Sequence, residues 1–272
     1  MLEWSSEFTE PEILKQITIP LNRCNVPPKV LASLAYQQYP VSLELDGVWT
    51  FYPDLFERLV RERDEKQRLA IFVDYMAVRF RLPEANLGVH DNADPVPQPH
   101  SNYRKLLLGW LFDSNSDSAA VWRQWVESRF GLMTLYHSEL ITSSEAESYL
   151  RYLQAYARVA YMTNDLFGQL DLLYCFCQYQ LAYRFQKAHL TLYRGGTKPI
   201  LYSFGGRKSI LLNNLSSFTA SIDEAYRFGS YVVEVSVPIS KVVCFDTLFP
   251  RGLSGELEYM VLGGLYQAKR VI

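Results

Sequence analysis

Apolar positions in the first two thirds of this chain recur at three- and four-residue spacing. From His189 onward they give way to short runs of apolar and β-branched residues. The first pattern predicts helices over 29–38, 56–82, 103–112, 119–130, 144–162 and 166–185. In the first of these Val30, Leu31, Leu34 and Ala35 form the stripe, Pro27-Pro28 marks the start and Tyr39-Pro40 the stop. Asp54 can cap the second helix, and Ser143-Ser144 with Glu147 resembles a capping arrangement. The charge run Arg61 to Lys66 reads as a solvated face. Residues 83–100 are polar, with Pro95, Pro97 and Pro99 in alternation, and form the clearest loop, either a surface connection or a binding segment. The second pattern predicts strands over 190–193, 231–237, 241–245, 258–262 and 268–272, with a short helix at 223–228. The fold class is therefore α+β, a mainly helical region 1–188 packed on a β core 189–272, the two forming one unit.

Composition narrows the function classes. With 272 residues and 49% hydrophobic content the chain can bury a large core, which excludes disorder. A formal charge of −2 excludes nucleic-acid binding by general phosphate neutralisation. Glu3 and Glu7 stand where a signal peptide would be basic, and no 18-residue uncharged apolar run occurs, so a cytoplasmic protein is expected. Cys24, Cys175, Cys177 and Cys244 suit a reducing compartment. Cys175 and Cys177, two apart on a helix, point away from each other and read as structural thiols.

Three segments of the β-rich part carry chemistry. Tyr193-Arg194-Gly195-Gly196 puts an arginine at a strand end beside glycines that admit a ligand to the backbone, so Arg194 is a diphosphate grip or a surface charge. Ser217-Phe218-Thr219-Ala220-Ser221 sets the Thr219 and Ser221 hydroxyls on one side of an extended segment. There they could orient a ribose or hold a carboxylate, or they could form a turn before a helix capped by Ser221 or Asp223. Glu256-Leu257-Glu258 sets two carboxylates on one side of a strand entry, suited to stabilising positive charge and accepting a proton, or left as a solvated acidic pair.

In that order the three segments resemble the arginine-specific branch of the ADP-ribosyltransferases, whose motif is R, S-T-S, E-x-E. Asn22 to Ser33, Val41 to Val48 and Asn213 to Phe218 narrow the likeness further, to the dinitrogenase reductase ADP-ribosyltransferase family, from about Ile19 to the C-terminus. The resemblance implies a two-sheet transferase core with Arg194, Ser221 and Glu258 lining one cleft, and NAD⁺ as co-substrate. Arg194 would bind its phosphates, Gly195 the nicotinamide amide, and Phe228 or alternatively Tyr226 would stack on the nicotinamide. Tyr193, Ser217 and Phe218 complete the expected NAD⁺ contacts. Glu258 would be the catalytic carboxylate, held by Thr219 or Ser221, and Glu256 the residue that selects arginine. Ala220 departs from the family's central hydroxyl, a role then dispensable or filled by Ser217. The implied protein substrate is dinitrogenase reductase, the implied regulator a PII-type nitrogen-signalling protein, and the helices of 1–188 the candidates for docking and regulation. The rival readings are an arginine-specific transferase with another target and an NAD⁺-binding module without turnover.

Overall fold

The computed structural model describes residues 8–82, 102–114, 116–136, 139–140, 147–159, 163–248 and 258–271. The helices of the first part are α1 (Glu10–Gln16), α2 (Pro28–Leu31), α3 (Leu34–Gln38), α4 (Val48–Phe51), α5 (Pro53–Arg61), α6 (Glu65–Arg79), α7 (Tyr103–Phe112) and α8 (Asp117–Phe130). A two-stranded pair, β1 (Leu135–Tyr136) and β2 (Glu139–Leu140), precedes α9 (Glu147–Val159) and α10 (Thr163–Arg184). The strands β3 (His189–Gly196), β4 (Ile200–Phe204), β5 (Arg207–Thr219), β6 (Tyr231–Pro238), β7 (Val242–Phe245) and β8 (Glu258–Arg270) follow, with α11 (Ile222–Arg227) between β5 and β6.

Local chemistry sets the helix boundaries. Asp64 accepts from the Gln67 amide at the start of α6, Asn102 from the Arg104 and Lys105 amides at α7, and Ser116 from the Ala119 amide at α8. Gly131 ends α8 at φ 67°, a left-handed conformation that glycine adopts without steric cost. The helix expected over 29–38 breaks at Ala32, because Ser33 takes an extended conformation and caps α3 by accepting from Tyr36. The proline-rich loop 83–100 and residues 143–146 of the expected capping arrangement lie outside the described residues.

The six strands from β3 to β8 form an antiparallel sheet in the order β4-β5-β3-β6-β8-β7, and β5 also pairs with β8, so the pairings close the circuit β5–β3–β6–β8. The sequence predicts two strands, over 258–262 and 268–272, whereas β8 runs unbroken through Gly263 and Gly264. These glycines are sites of close approach: a Cβ on Gly263 would stand 1.9 Å from the Asn213 carbonyl oxygen, and Gly264, at φ +111°, packs on the backbone of Ala32. Opposite them β5 bulges between Leu212 and Leu215, freeing Asn214 to donate to the carbonyls of Arg123 and Leu132 and so tie the sheet to α8. Strand β4 and the first half of β5 had no distinct sequence signal.

One hydrophobic core runs through both parts, with Phe72 stacked on Phe176 at 4.2 Å in the helical layer and Val243, Leu262 and Leu265 fully buried in the sheet. The central helix α10 is apolar around most of its circumference and packs on α6, α7 and β7. Cys175, Cys177 and Cys244 are buried free thiols, and burial raises the pKa of each, as inert packing groups require. No helix among the described residues is long and apolar enough to cross a membrane.

Candidate active site

Strand register brings the three sequence segments together. Tyr193 on β3 faces Thr219 on β5, and Thr219 faces Glu258, the first residue of β8, so one transverse row links all three. Arg194 follows in β3, and its Nη1–H donates to the Ser217 carbonyl at 2.6 Å, which aims the guanidinium along β5. Burial lowers the pKa of this guanidinium, and the Glu258 carboxylate opposes the shift through its charge.

Glu258 is only 8% exposed. Its Oε1 accepts from the Trp110 indole N–H at 2.9 Å, and the same N–H lies 3.1 Å from Ser217 Oγ. A buried carboxylate needs such a donor, because an unpaired charge in a dry site costs several kcal/mol, on the order of 2–7 even for a neutral polar group.

A cavity of about 360 Å³ opens on this row, lined by Tyr193, Arg194, Gly195, Ser217, Phe218, Thr219, Phe228 and Glu258 from the β part and by Trp110 to Ser114 from α7 and its end. A second cavity of about 320 Å³ adjoins it, shares Trp110, Ser114, Arg194, Gly195 and Ser217, and reaches Arg123, Lys198 and Asn213. Each lies in the size range of small-molecule sites, roughly 300–1,000 Å³. Phe228 lies at the end of α11 with 54% of its surface exposed, at the cavity wall.

Two expected site residues stand elsewhere. Ser221 lines neither cavity; its Oγ caps α11 by accepting from the Glu224 amide, and its own amide donates to Thr219 Oγ1 at 3.1 Å. The cleft expected to hold Arg194, Ser221 and Glu258 thus holds the first and last, with Thr219 as the hydroxyl beside Glu258. Tyr226, the alternative aromatic, is exposed on α11 and also lines neither cavity. Glu256 lies outside the described residues.

Sequence reasoning missed Trp110, Asp113, Ser114 and Arg123, all from the helical part. The usable signal was weak: a tryptophan inside the apolar helix Tyr103–Phe112 tends to be buried, and a buried N–H favours an acceptor. Nothing in the spacing says that the acceptor is Glu258, 148 positions away.

The family model described as dinitrogenase reductase ADP-ribosyltransferase (DRAT) matches residues 21–270. The chain belongs to this family. A relative in Rhodospirillum rubrum, named NAD(+)–dinitrogen-reductase ADP-D-ribosyltransferase, is 35% identical over 258 residues, which cover 91% of this chain and 93% of the relative. No solved structure matches the chain. The extent of the dinitrogenase reductase ADP-ribosyltransferase match has a structural meaning. It takes in α2 to α8 as well as the strands, so Trp110, Ser114 and Arg123 fall within the family region together with Arg194 and Glu258.

Proposed function

We propose that this protein transfers ADP-ribose from NAD⁺ to an arginine of dinitrogenase reductase, and so switches nitrogenase off reversibly, inside the cytoplasm and under the control of a PII-type protein. The observation that carries the reading is the meeting of Arg194 and Glu258 in one cavity, in a chain whose family is named for this reaction. The circuit of pairings through β5 and β8, each long enough to pair differently along its two halves, supports a two-sheet core of the ADP-ribosyltransferase type over 189–272. Residues 1–188 then support the core and dock the protein substrate. The exposed apolar side chains Leu108 and Phe112 on α7, the latter at the cavity, favour docking there.

In this reading the two cavities hold NAD⁺, with the diphosphate gripped by Arg194, the nicotinamide against Phe228 and its amide on the backbone at Gly195. The bond between nicotinamide nitrogen and ribose breaks with its electron pair leaving on nicotinamide, through an oxocarbenium-like state. Glu258 stabilises that charge from a site dry enough for the attraction to be strong. A guanidinium nitrogen of the acceptor then bonds to the anomeric carbon and gives up a proton. Glu256 orients that guanidinium and takes the proton.

The two glutamates separate in one assay that follows nicotinamide release and labelled acceptor together. Glu258→Gln should lower both transfer and NAD⁺ hydrolysis by about 100-fold or more, because both cross the same charged state. Glu256→Gln should abolish transfer and retain hydrolysis, because water needs no guanidinium clamp. Retained transfer in both variants would place the site elsewhere.

A further inference from the structure

Trp110 meets Glu258 through a single N–H, and its helix and neighbours place the indole there. It is 2% exposed on α7, whose start is fixed by the Asn102 cap. One turn of that helix lies tight against α8, since a Cβ on Gly109 would stand 2.4 Å from Ser118 Oγ. The Arg123 guanidinium lies 5.5 Å from the centre of the indole ring system, and Ser217 Oγ sits 3.1 Å from the indole nitrogen, beside the carboxylate oxygen at 2.9 Å.

The chemistry of the donor is specific. An indole N–H donates and never accepts, so it offers nothing to the proton of a carboxylic acid and rewards the ionised form. A charge-assisted bond of this kind also restricts the rotation of the carboxylate plane.

We propose that Trp110 is a positioning residue for the transfer reaction, its indole N–H keeping Glu258 ionised and its carboxylate turned toward the ribose. This rests on the reading of Glu258 as the catalytic carboxylate. It makes α7, from the helical part, a working wall of the site rather than a support, because the aim of the carboxylate is set from outside the strands that carry it.

The test removes the N–H and keeps the ring. Trp110→Phe, and the protein carrying 3-benzothienylalanine at position 110, which retains both fused rings without a donor, are assayed for nicotinamide release, for arginine transfer and for the KM of NAD⁺. Both should lose about 10- to 100-fold in kcat for the two reactions, the loss typical when a group orienting a reacting residue is removed, with KM for NAD⁺ little changed. The acidic limb of the kcat profile should move to higher pH. Among the described residues the other titratable groups about Glu258 include Arg194 and Tyr193 from β3, Cys244 from β7 and Asp113 beyond α7, and they are common to all the proteins compared.

A kcat and an acidic limb equal to those of the unaltered protein in the benzothienylalanine form would overturn the proposal, as would failure of that form to fold, which would make the bond structural. Glu258→Gln run alongside separates the two readings. An active Glu258→Gln refutes the catalytic assignment, whereas an inactive one beside a fully active benzothienylalanine protein refutes only the role of Trp110.

Discussion

Arg194 stands at the junction of the two cavities, and one of the guanidinium's five donors is spent on the Ser217 carbonyl. That bond fixes the direction of the planar fork, which is what a bidentate grip on a diphosphate needs. Arg194→Ala should therefore raise the KM for NAD⁺ by about tenfold or more, each tenfold corresponding to roughly 1.4 kcal/mol. Arg194→Lys should recover only part of the loss, since an ammonium is a point charge without the fork. Steady-state kinetics in NAD⁺ decide it, and an unchanged KM in the alanine variant would make Arg194 a positioning group for β5 alone. Arg194 stands out in the sequence as a candidate because its neighbours are glycines and its place in the motif order is distinctive. That Thr219 and not Ser221 faces Glu258 was not legible, because alternation along a strand holds only while the strand lasts. The strand ends at Thr219, and Ser221 turns to cap α11.

At the scale of elements, α11 is seated on β3 by the absence of a side chain. A Cβ on Gly195 would stand 1.7 Å from the carbonyl oxygen of Ala225, a distance that only movement of the helix backbone can relieve. The glycine pair reads from sequence as room for a ligand, and the structure adds that the side of Gly195 where a Cβ would stand is taken by a helix. Gly195→Ala should therefore displace α11, and with it Phe228 at the cavity wall. The expected outcome is a loss of about 1–3 kcal/mol in stability, the range for overpacking, measured by denaturant unfolding. A weaker KM for NAD⁺ should accompany it, and a variant as stable as the original would show that α11 yields at no cost. The unbroken β8 carries the same lesson. Gly263 and Gly264 look like strand breakers in sequence, and their actual use is to let β5 and the turn at Ala32 between α2 and α3 come close, which depends on partners far away in the chain.

At the scale of the whole molecule, an amine lies where no water reaches. Lys241 is fully buried, its Nζ donates to the Gly263 carbonyl at 3.0 Å, and the Tyr266 and Tyr36 rings lie 4.5 and 5.5 Å away, so it joins the helical and β parts. Burial pulls its pKa down to about 7. Unfolded, the same amine holds its proton up to about pH 10.4. Between these values the unfolded chain binds the extra proton, so Lys241 weakens folding most at and below pH 7, and the penalty fades as pH rises toward 10. The slope is at most roughly 1.4 kcal/mol per pH unit. Melting temperatures of the protein and of Lys241→Met, compared from pH 7 to 9.5, should show the unaltered protein gaining on the variant as pH rises. Parallel curves would mean that the lysine stays protonated in the fold. The comparison cancels the buried tyrosines, whose raised pKa values act on both proteins alike.

The sequence by itself determined what depends on neighbours in the chain. The helical period of the first part, the strand runs after His189 and the Arg194, Thr219 and Glu256-x-Glu258 order are local patterns, and local sterics and amphipathicity decide them. Tertiary structure decided which side chains meet. The Trp110 N–H on Glu258, Arg123 at the second cavity, Asn214 of the β5 bulge on α8 and the Lys241 amine beside the Tyr36 ring all join residues many tens of positions apart. Such contacts arise because a buried polar group is costly without a partner, and the fold as a whole, rather than the spacing of residues along the chain, sets where that partner is.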